Sequence, residues 1–288
     1  MNNSRNEKNR NKSSFSSPPF RIWGLWRWVK IIVLIYALIG IALFYLQDYI
    51  LFHPTVIERN VPYKFDMPFE EVDLALNEND TINMVKFFPK DSLRKGVVLY
   101  FHGNKGNINR FAKFVNNFTK NGYELWIEDY PGFGKSVGAR SEKILYQQAE
   151  QIFTLAATKF AKDSIVVYGK SLGSGIAAYL AAVKGCRQLI LETPYYSITS
   201  LFDAYAPFYP NSRMIKYKIP TYEYLQDLKM PVTILHGTDD GVINYSNAAK
   251  LKPFLKLTDR FVTIEGGSHN DLNNFPLYHR VLDSLLLQ

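Results

Sequence analysis

Cysteine is almost missing from this chain. One residue, Cys186, stands among 288, so neither an intrachain disulfide nor a cysteine-based zinc site can be built. It follows a helical stretch and reads as a small buried hydrophobe. No internal repeat is present, and no low-complexity stretch lies outside the N-terminal tail. Positive charge is plentiful in total but scarce over most of the chain. The formal charge is +8, yet residues 1–30 hold seven Lys/Arg against one Glu, which leaves +2 for the other 258 residues. A nearly neutral body carries no basic patch and argues against nucleic acid as a partner. A phosphate-cradling loop is lacking too. Gly-Lys-Ser occurs twice, at Gly134–Ser136 and Gly169–Ser171, but the early glycine of such a loop is absent. Asp129 and Ser164 stand at that place, and a carboxylate there would repel phosphate.

The N-terminus is of a different kind from the rest. Asn, Ser, Lys and Arg dominate its first 19 residues, and a disordered basic tail is expected over 1–29. Ile31 to Leu46 then runs sixteen residues without a charge. That is short of the roughly 20 apolar residues of a spanning helix. Val29, Tyr49, Ile50, Leu51 and Phe52 extend it, Lys30 can snorkel, and Trp23, Trp26 and Trp28 suit an interface. A transmembrane anchor is expected over 30–52. A cleaved signal peptide and an interfacial or core helix are the alternatives. The small-x-small run Gly40-Ile41-Ala42 lies inside the apolar stretch and fits cleavage poorly. Seven Lys/Arg precede the span and only Arg59 and Lys64 follow within twenty residues. The positive-inside rule therefore puts the N-terminus in the cytoplasm and residues 53–288 on the outer, periplasmic or extracellular side.

Beyond the anchor, short apolar runs alternate with helical ones. Strands are expected at Glu71–Leu76, Ile82–Phe88, Val97–Phe101, Glu124–Glu128, Ser164–Tyr168, Gln188–Leu191, Val232–Leu235 and Phe261–Ile264. Helices are expected at 107–121, 141–161, 172–183, 246–255 and 277–287. Continuous apolar strands alternating with helices imply an α/β fold, a mostly parallel sheet with helices on both faces.

One strand ends in Gly169-Lys170-Ser171-Leu172-Gly173, a G-x-S-x-G run between strand and helix. A nucleophile elbow demands that context. Gly169 and Gly173 keep the turn tight, and the amide of Leu172 at the helix start can face a developing oxyanion. A glycine-rich turn with an idle serine is the plainer alternative. A serine hydroxyl needs a base to take its proton. Of five histidines, His53 follows the anchor far from any strand end, and His279 lies in the last helix as a solvated residue. His102, His236 and His269 lie just after strands, where doubly wound sheets place ligands. The order Ser, acid, His selects His269. Asp239 and Asp240 lie between as candidates to orient its ring.

Five motifs in order carry a resemblance: Phe101-His102-Gly103-Asn104, Asp129-Tyr130-Pro131-Gly132-Phe133-Gly134, the elbow, His236-Gly237-Thr238-Asp239-Asp240, and Gly267-Ser268-His269-Asn270-Asp271. Over roughly Phe52 to Gln288 the chain resembles the α/β-hydrolases. The compact, short-lidded, membrane-anchored members are closest in kind, a group including acylglycerol lipases and protein depalmitoylases. The resemblance implies an α/β-hydrolase fold, a catalytic set Ser171, Asp240 and His269, and an oxyanion hole of the Asn104 and Leu172 amides. It makes His102 and His236 loop-shaping residues and Ser136 structural. Asn244 departs from it, standing where a proline is common. So does the charged Lys170 beside the nucleophile, read as solvated. A lid is expected at about 192–229, with nine aromatics that either suit an acyl chain or pack the lid down. The expected function is a membrane-anchored serine hydrolase cleaving a carboxylic ester or thioester of a small or lipid-like acyl substrate, without metal or cofactor. A serine peptidase is the alternative, disfavoured by the small cap. A non-catalytic, membrane-tethered binding protein on the same fold is the reading from another class.

Overall fold

The computed structural model describes residues 20–90 and 94–287, with side chains from Gly24 onward. Two compact units divide the chain, Met1–Tyr45 and Leu46–Gln288. The first unit is represented by the apolar helix α1 (Phe20–Leu51), whose last turn belongs to the second unit. The expected tail at 1–29 is corrected over its last ten residues, because the helix begins at Phe20. Apart from Gly24, residues 20–30 hold no helix breaker, and Pro18 and Pro19 precede them. Residues 1–19 lie outside the described residues. The stretch Gly24–Leu51, 28 residues of mean hydropathy 2.5, is long and apolar enough to cross a membrane.

The second unit opens with β1 (His53–Pro54), β2 (Phe69–Ala75), β3 (Thr81–Phe87), β4 (Gly96–Phe101) and β5 (Lys105–Gly106). The short helices α2 (Ile108–Phe111) and α3 (Asn116–Thr119) lead to β6 (Tyr123–Glu128), α4 (Glu142–Ala157), β7 (Ile165–Lys170), α5 (Leu172–Lys184) and β8 (Gln188–Glu192). Then come α6 (Ile198–Tyr205), α7 (Asn211–Met214), α8 (Thr221–Leu225), β9 (Val232–Gly237), α9 (Tyr245–Ala249), β10 (Arg260–Ile264) and α10 (Pro276–Leu287).

Eight strands form one sheet in the order β10-β9-β8-β7-β4-β6-β3-β2, and β1 pairs with β5 in a two-residue ribbon. The sheet is parallel from β10 to β6 and antiparallel where β3 meets β6 and β2. The central strands β4 (GVVLYF) and β7 (IVVYGK) are buried at every position. Continuous apolar runs are the mark of strands covered on both faces. One face packs Leu99, Trp126, Val167 and Leu191 under α4 and α5. The other packs Val98, Tyr100 and Tyr168 against Phe118 of α3 and against α10. This is the α/β-hydrolase fold.

Two expected helices are broken. The segment 107–121 becomes α2, a 3₁₀ turn at Ala112–Phe114, and α3; 246–255 becomes α9 and a 3₁₀ turn at Lys252–Phe254. Pro253 accounts for the second break, since it cannot continue a helical ladder.

Candidate active site

The elbow follows from local sterics. Ser171 has φ +52° and ψ −119° between β7 and α5, a conformation disfavoured for a residue with a side chain. A Cβ at Gly169 would run into the Gly173 carbonyl and Ala177, and one at Gly173 into the Phe101 carbonyl oxygen. These glycines let α5 start against the end of β4. The strained serine then projects from the turn as a nucleophile elbow requires.

Two loops at the same ends of the sheet meet it. Gly237 ends β9 against the carbonyl of Gly267, where a Cβ would collide, and this brings Asp240 beside His269. Ser171 Oγ donates to His269 Nε2 at 2.9 Å. His269 Nδ1–H donates to Asp240 Oδ2 at 2.8 Å, and that acceptor fixes the tautomer. Asp240 Oδ1 accepts from the amides of Val242 and Ile243 at 2.9 and 2.8 Å. Burial raises the Asp240 pKa. The His269 hydrogen bond and charge and the two amides outweigh that, and the group sits below the usual carboxylate value. All three residues are buried. Asp239 makes none of these contacts; its Oδ1 accepts from Thr238 Oγ1.

The remaining histidines divide by surroundings. His236 is fully buried, and its Nε2–H donates to the Ile243 carbonyl at 2.9 Å, 3.4 Å from Asp240 Oδ2. Burial first, then the neighbouring His269, lowers its pKa. His102 stacks on Phe111 at 4.9 Å, and its carbonyl accepts from Tyr130 OH at 2.7 Å. Both shape loops. His53 is nearer the site than its sequence context suggests: it lies in β1 beside β5, and its amide donates to the Asn104 carbonyl at 2.8 Å. His279 Nε2 donates to the Asn273 carbonyl at 2.7 Å, so it is half-buried and bonded rather than solvated.

Asn104 follows β4 in the loop next to the elbow, where a Cβ on Gly103 would touch Ser171 Cβ at 3.5 Å. Neither the Asn104 nor the Leu172 amide donates a hydrogen bond among the described residues. Free amides beside a serine can receive an oxyanion. Ser136 is structural. It accepts from the Asn83 amide at 2.7 Å and donates to the Asp129 carbonyl at 2.6 Å.

Lys170 is corrected. It is buried and paired with Glu192, and its Nζ lies 3.5 Å from the His269 carbonyl. Glu192 also accepts from Tyr168 OH and, at 3.5 Å, from Tyr278 OH. Strand pairing explains this, because Lys170 and Glu192 are neighbours in register across β7 and β8. The segment 192–229, where a lid is expected, carries α6 to α8. Most of its aromatics pack inward: Tyr195 and Tyr217 are buried, Tyr196 stacks on Tyr222 at 4.3 Å, and Tyr224 meets Tyr146 and Tyr179. Tyr205 and Phe208 stay exposed at 72% and 85%. Among the described residues no His, Cys, Asp and Glu cluster could hold a metal ion.

The family model described as serine aminopeptidase, S33, matches residues 93–221. That stretch includes Asn104 and Ser171 and stops before Asp240 and His269. The alpha/beta hydrolase domain-containing protein 17C of Xenopus tropicalis is 27% identical over 186 residues, 63% of this chain and 58% of the relative. Its Mus musculus counterpart is 25% identical over the same length, covering 56% of that protein. The chain thus spans little more than half the length of these curated relatives. Among solved structures, Est1E from Butyrivibrio proteoclasticus aligns with 75% of this chain and 97% of its own, at TM-score 0.62 and 16% identity. A soluble variant of monoglyceride lipase from Saccharomyces cerevisiae aligns over 78% and 97%, at TM-score 0.60 and 16% identity. Identities this low speak for the fold alone.

Proposed function

We propose that this chain, which has the α/β-hydrolase fold, is a membrane-anchored serine hydrolase cleaving a carboxylic ester or thioester. The observation that carries the reading is the hydrogen-bonded series Ser171–His269–Asp240, at 2.9 and 2.8 Å, with the serine held at positive φ. Ser171 Oγ attacks the carbonyl carbon while His269 Nε2 takes its proton. Asp240 keeps the proton on Nδ1 and stabilises the imidazolium. The Asn104 and Leu172 amides receive the oxyanion, each donor of this kind being worth about 10²–10³ in rate. His269 then protonates the leaving oxygen or sulfur as its bond to carbon breaks. Water deacylates the serine by the same relay run in reverse.

Small or lipid-like acyl compounds fit a domain tethered at a membrane. The helix Gly24–Leu51 is the anchor in this reading, and the excess of basic residues before it puts the N-terminus in the cytoplasm and the hydrolase domain outside. Amide cleavage is the second reading, favoured by the family model's description. The short lid between β8 and β9 leaves little room for the enclosing cap of a peptidase.

The test is labelling of membranes with a fluorophosphonate probe, comparing the wild type with Ser171→Ala and His269→Ala. Labelling of the wild type alone is expected, and folded wild type that stays unlabelled would overturn the reading. A panel of matched acyl esters, thioesters and aminoacyl amides then separates the two reactions.

A further inference from the structure

An α-helix ends with carbonyls that lack intrahelical partners. At the end of α1, inside the second unit, one of these is satisfied from far along the chain. Asn104 Nδ2 donates to the Leu51 carbonyl at 2.9 Å. The next residues continue the connection: the His53 amide donates to the Asn104 carbonyl at 2.8 Å and the Thr55 amide to the Gly106 carbonyl at 2.9 Å. Residues 51–55 therefore hold the segment that carries the Asn104 amide.

One turn earlier, Gln47 is 2% exposed, a buried amide at the end of an apolar helix. Its Oε1 accepts from the Lys216 amide at 2.7 Å, and its Nε2 donates to the Met214 carbonyl at 3.2 Å. The side chain thus pairs with the lid backbone as a neighbouring strand would. Directly after Leu51, Phe52 packs edge-on against Tyr217 of the lid at 5.0 Å and Phe133 at 6.3 Å. Burying an amide with both ends bonded costs little, whereas leaving its lid partners unpaired would cost more.

We infer that the turn Gln47–His53 is part of the site's scaffold, with Gln47 and the Asn104 side chain as positioning residues for the oxyanion amide and the lid. The inference rests on the serine-hydrolase reading. Oxyanion donors work only when aimed before the reaction, and a misplacement of about 1 Å can cost 10²-fold in rate. The Asn104 side chain acts through its own backbone, by fixing the peptide whose N–H faces the serine. Gln47 acts through the lid and through the turn it anchors. The last turn of the apolar helix then serves the chemistry as well as the tether.

The experiment uses the full-length chain in detergent micelles with p-nitrophenyl butyrate, measuring kcat, KM, the fluorophosphonate labelling rate and the melting temperature. Asn104→Ala and Gln47→Met are expected to lower kcat and the labelling rate about tenfold or more. For Asn104→Ala the KM stays near that of the wild type. Asn104→Asp keeps the shape, loses the donor and is slowed likewise, which covers the case where Asn104→Ala fails to fold. Folded variants with wild-type kcat, or losses that only follow the unfolded fraction, would overturn the inference. A wild type that neither turns over nor labels would instead sink the hydrolase reading itself.

Discussion

Lys170 stands one residue before Ser171, its side chain 5% exposed against 4% for Glu192. Removing charges this far from water is costly, and the pair persists because each partner compensates the other while Tyr168 and Tyr278 donate to the carboxylate. Lys170→Met strands the carboxylate. It is expected to cost about 3–5 kcal/mol, the range for breaking a buried pair. Lys170→Met/Glu192→Gln should recover much of that, because no uncompensated charge remains. Thermal unfolding of the solubilised chain measures both, and equal losses in single and double variants would contradict the argument. His236 gives the pH counterpart. Burial holds its pKa below the ordinary value, so below about pH 6.5 the unfolded chain binds a proton that the folded chain refuses. More protons on the unfolded state means stability that rises with pH. The wild type should therefore lose stability as pH falls from about 6.5 towards the lower folded value. His236→Asn should flatten that part of the profile, and an unchanged slope would assign it to other groups.

At the scale of elements, close approach of backbones decides which residues are replaceable. A Cβ on Gly173 meets the Phe101 and His102 carbonyls, which cannot swing aside. Gly173→Ala should cost about 4 kcal/mol or more, at the far end of single substitutions. Gly241 has no atom within 4 Å of such a Cβ, so Gly241→Ala should stay within about 0.5 kcal/mol. Melting temperatures of the two variants test the contrast. The same scale explains what could be read in advance. The strands were legible because apolar, β-branched runs bounded by turns have few other uses, and the elbow because its two glycines flank a serine between strand and helix. The break in 107–121 was not, since no proline marks it; Asn107 caps α2 by accepting from the Asn109 amide at 3.0 Å, and a 3₁₀ turn follows. Lys170 was misread because its partner lies 22 residues on, across a strand pair. Gln47 gave no signal, because its partners are backbone groups of residues 214 and 216.

At the scale of the whole molecule the decisive feature is where charge lies relative to the long apolar helix α1. Its 28-residue apolar stretch is about 42 Å long at 1.5 Å per residue, longer than the roughly 30 Å hydrocarbon core. In the proposed membrane-anchored reading, the excess lets Arg27 and Lys30 stand among headgroups and leaves the last turn, from Gln47, packed against residues 214–217 outside the hydrocarbon core. Basic residues are dense before the span and sparse after it, where Glu58 and Asp66 are exposed. Positive charge resists translocation far more than negative charge promotes it. In cells stripped to an intact cytoplasmic membrane, added protease should therefore digest the hydrolase domain of the wild-type chain. Replacing Arg21, Arg27 and Lys30 by Gln, together with Glu58→Lys and Asp66→Lys, abolishes the positive bias, leaving four Lys/Arg before the helix and four within twenty residues after it. A protected fraction of the domain should then appear. A wild-type domain that stays protected until the cells are lysed would reverse the proposed orientation and place the site in the cytoplasm.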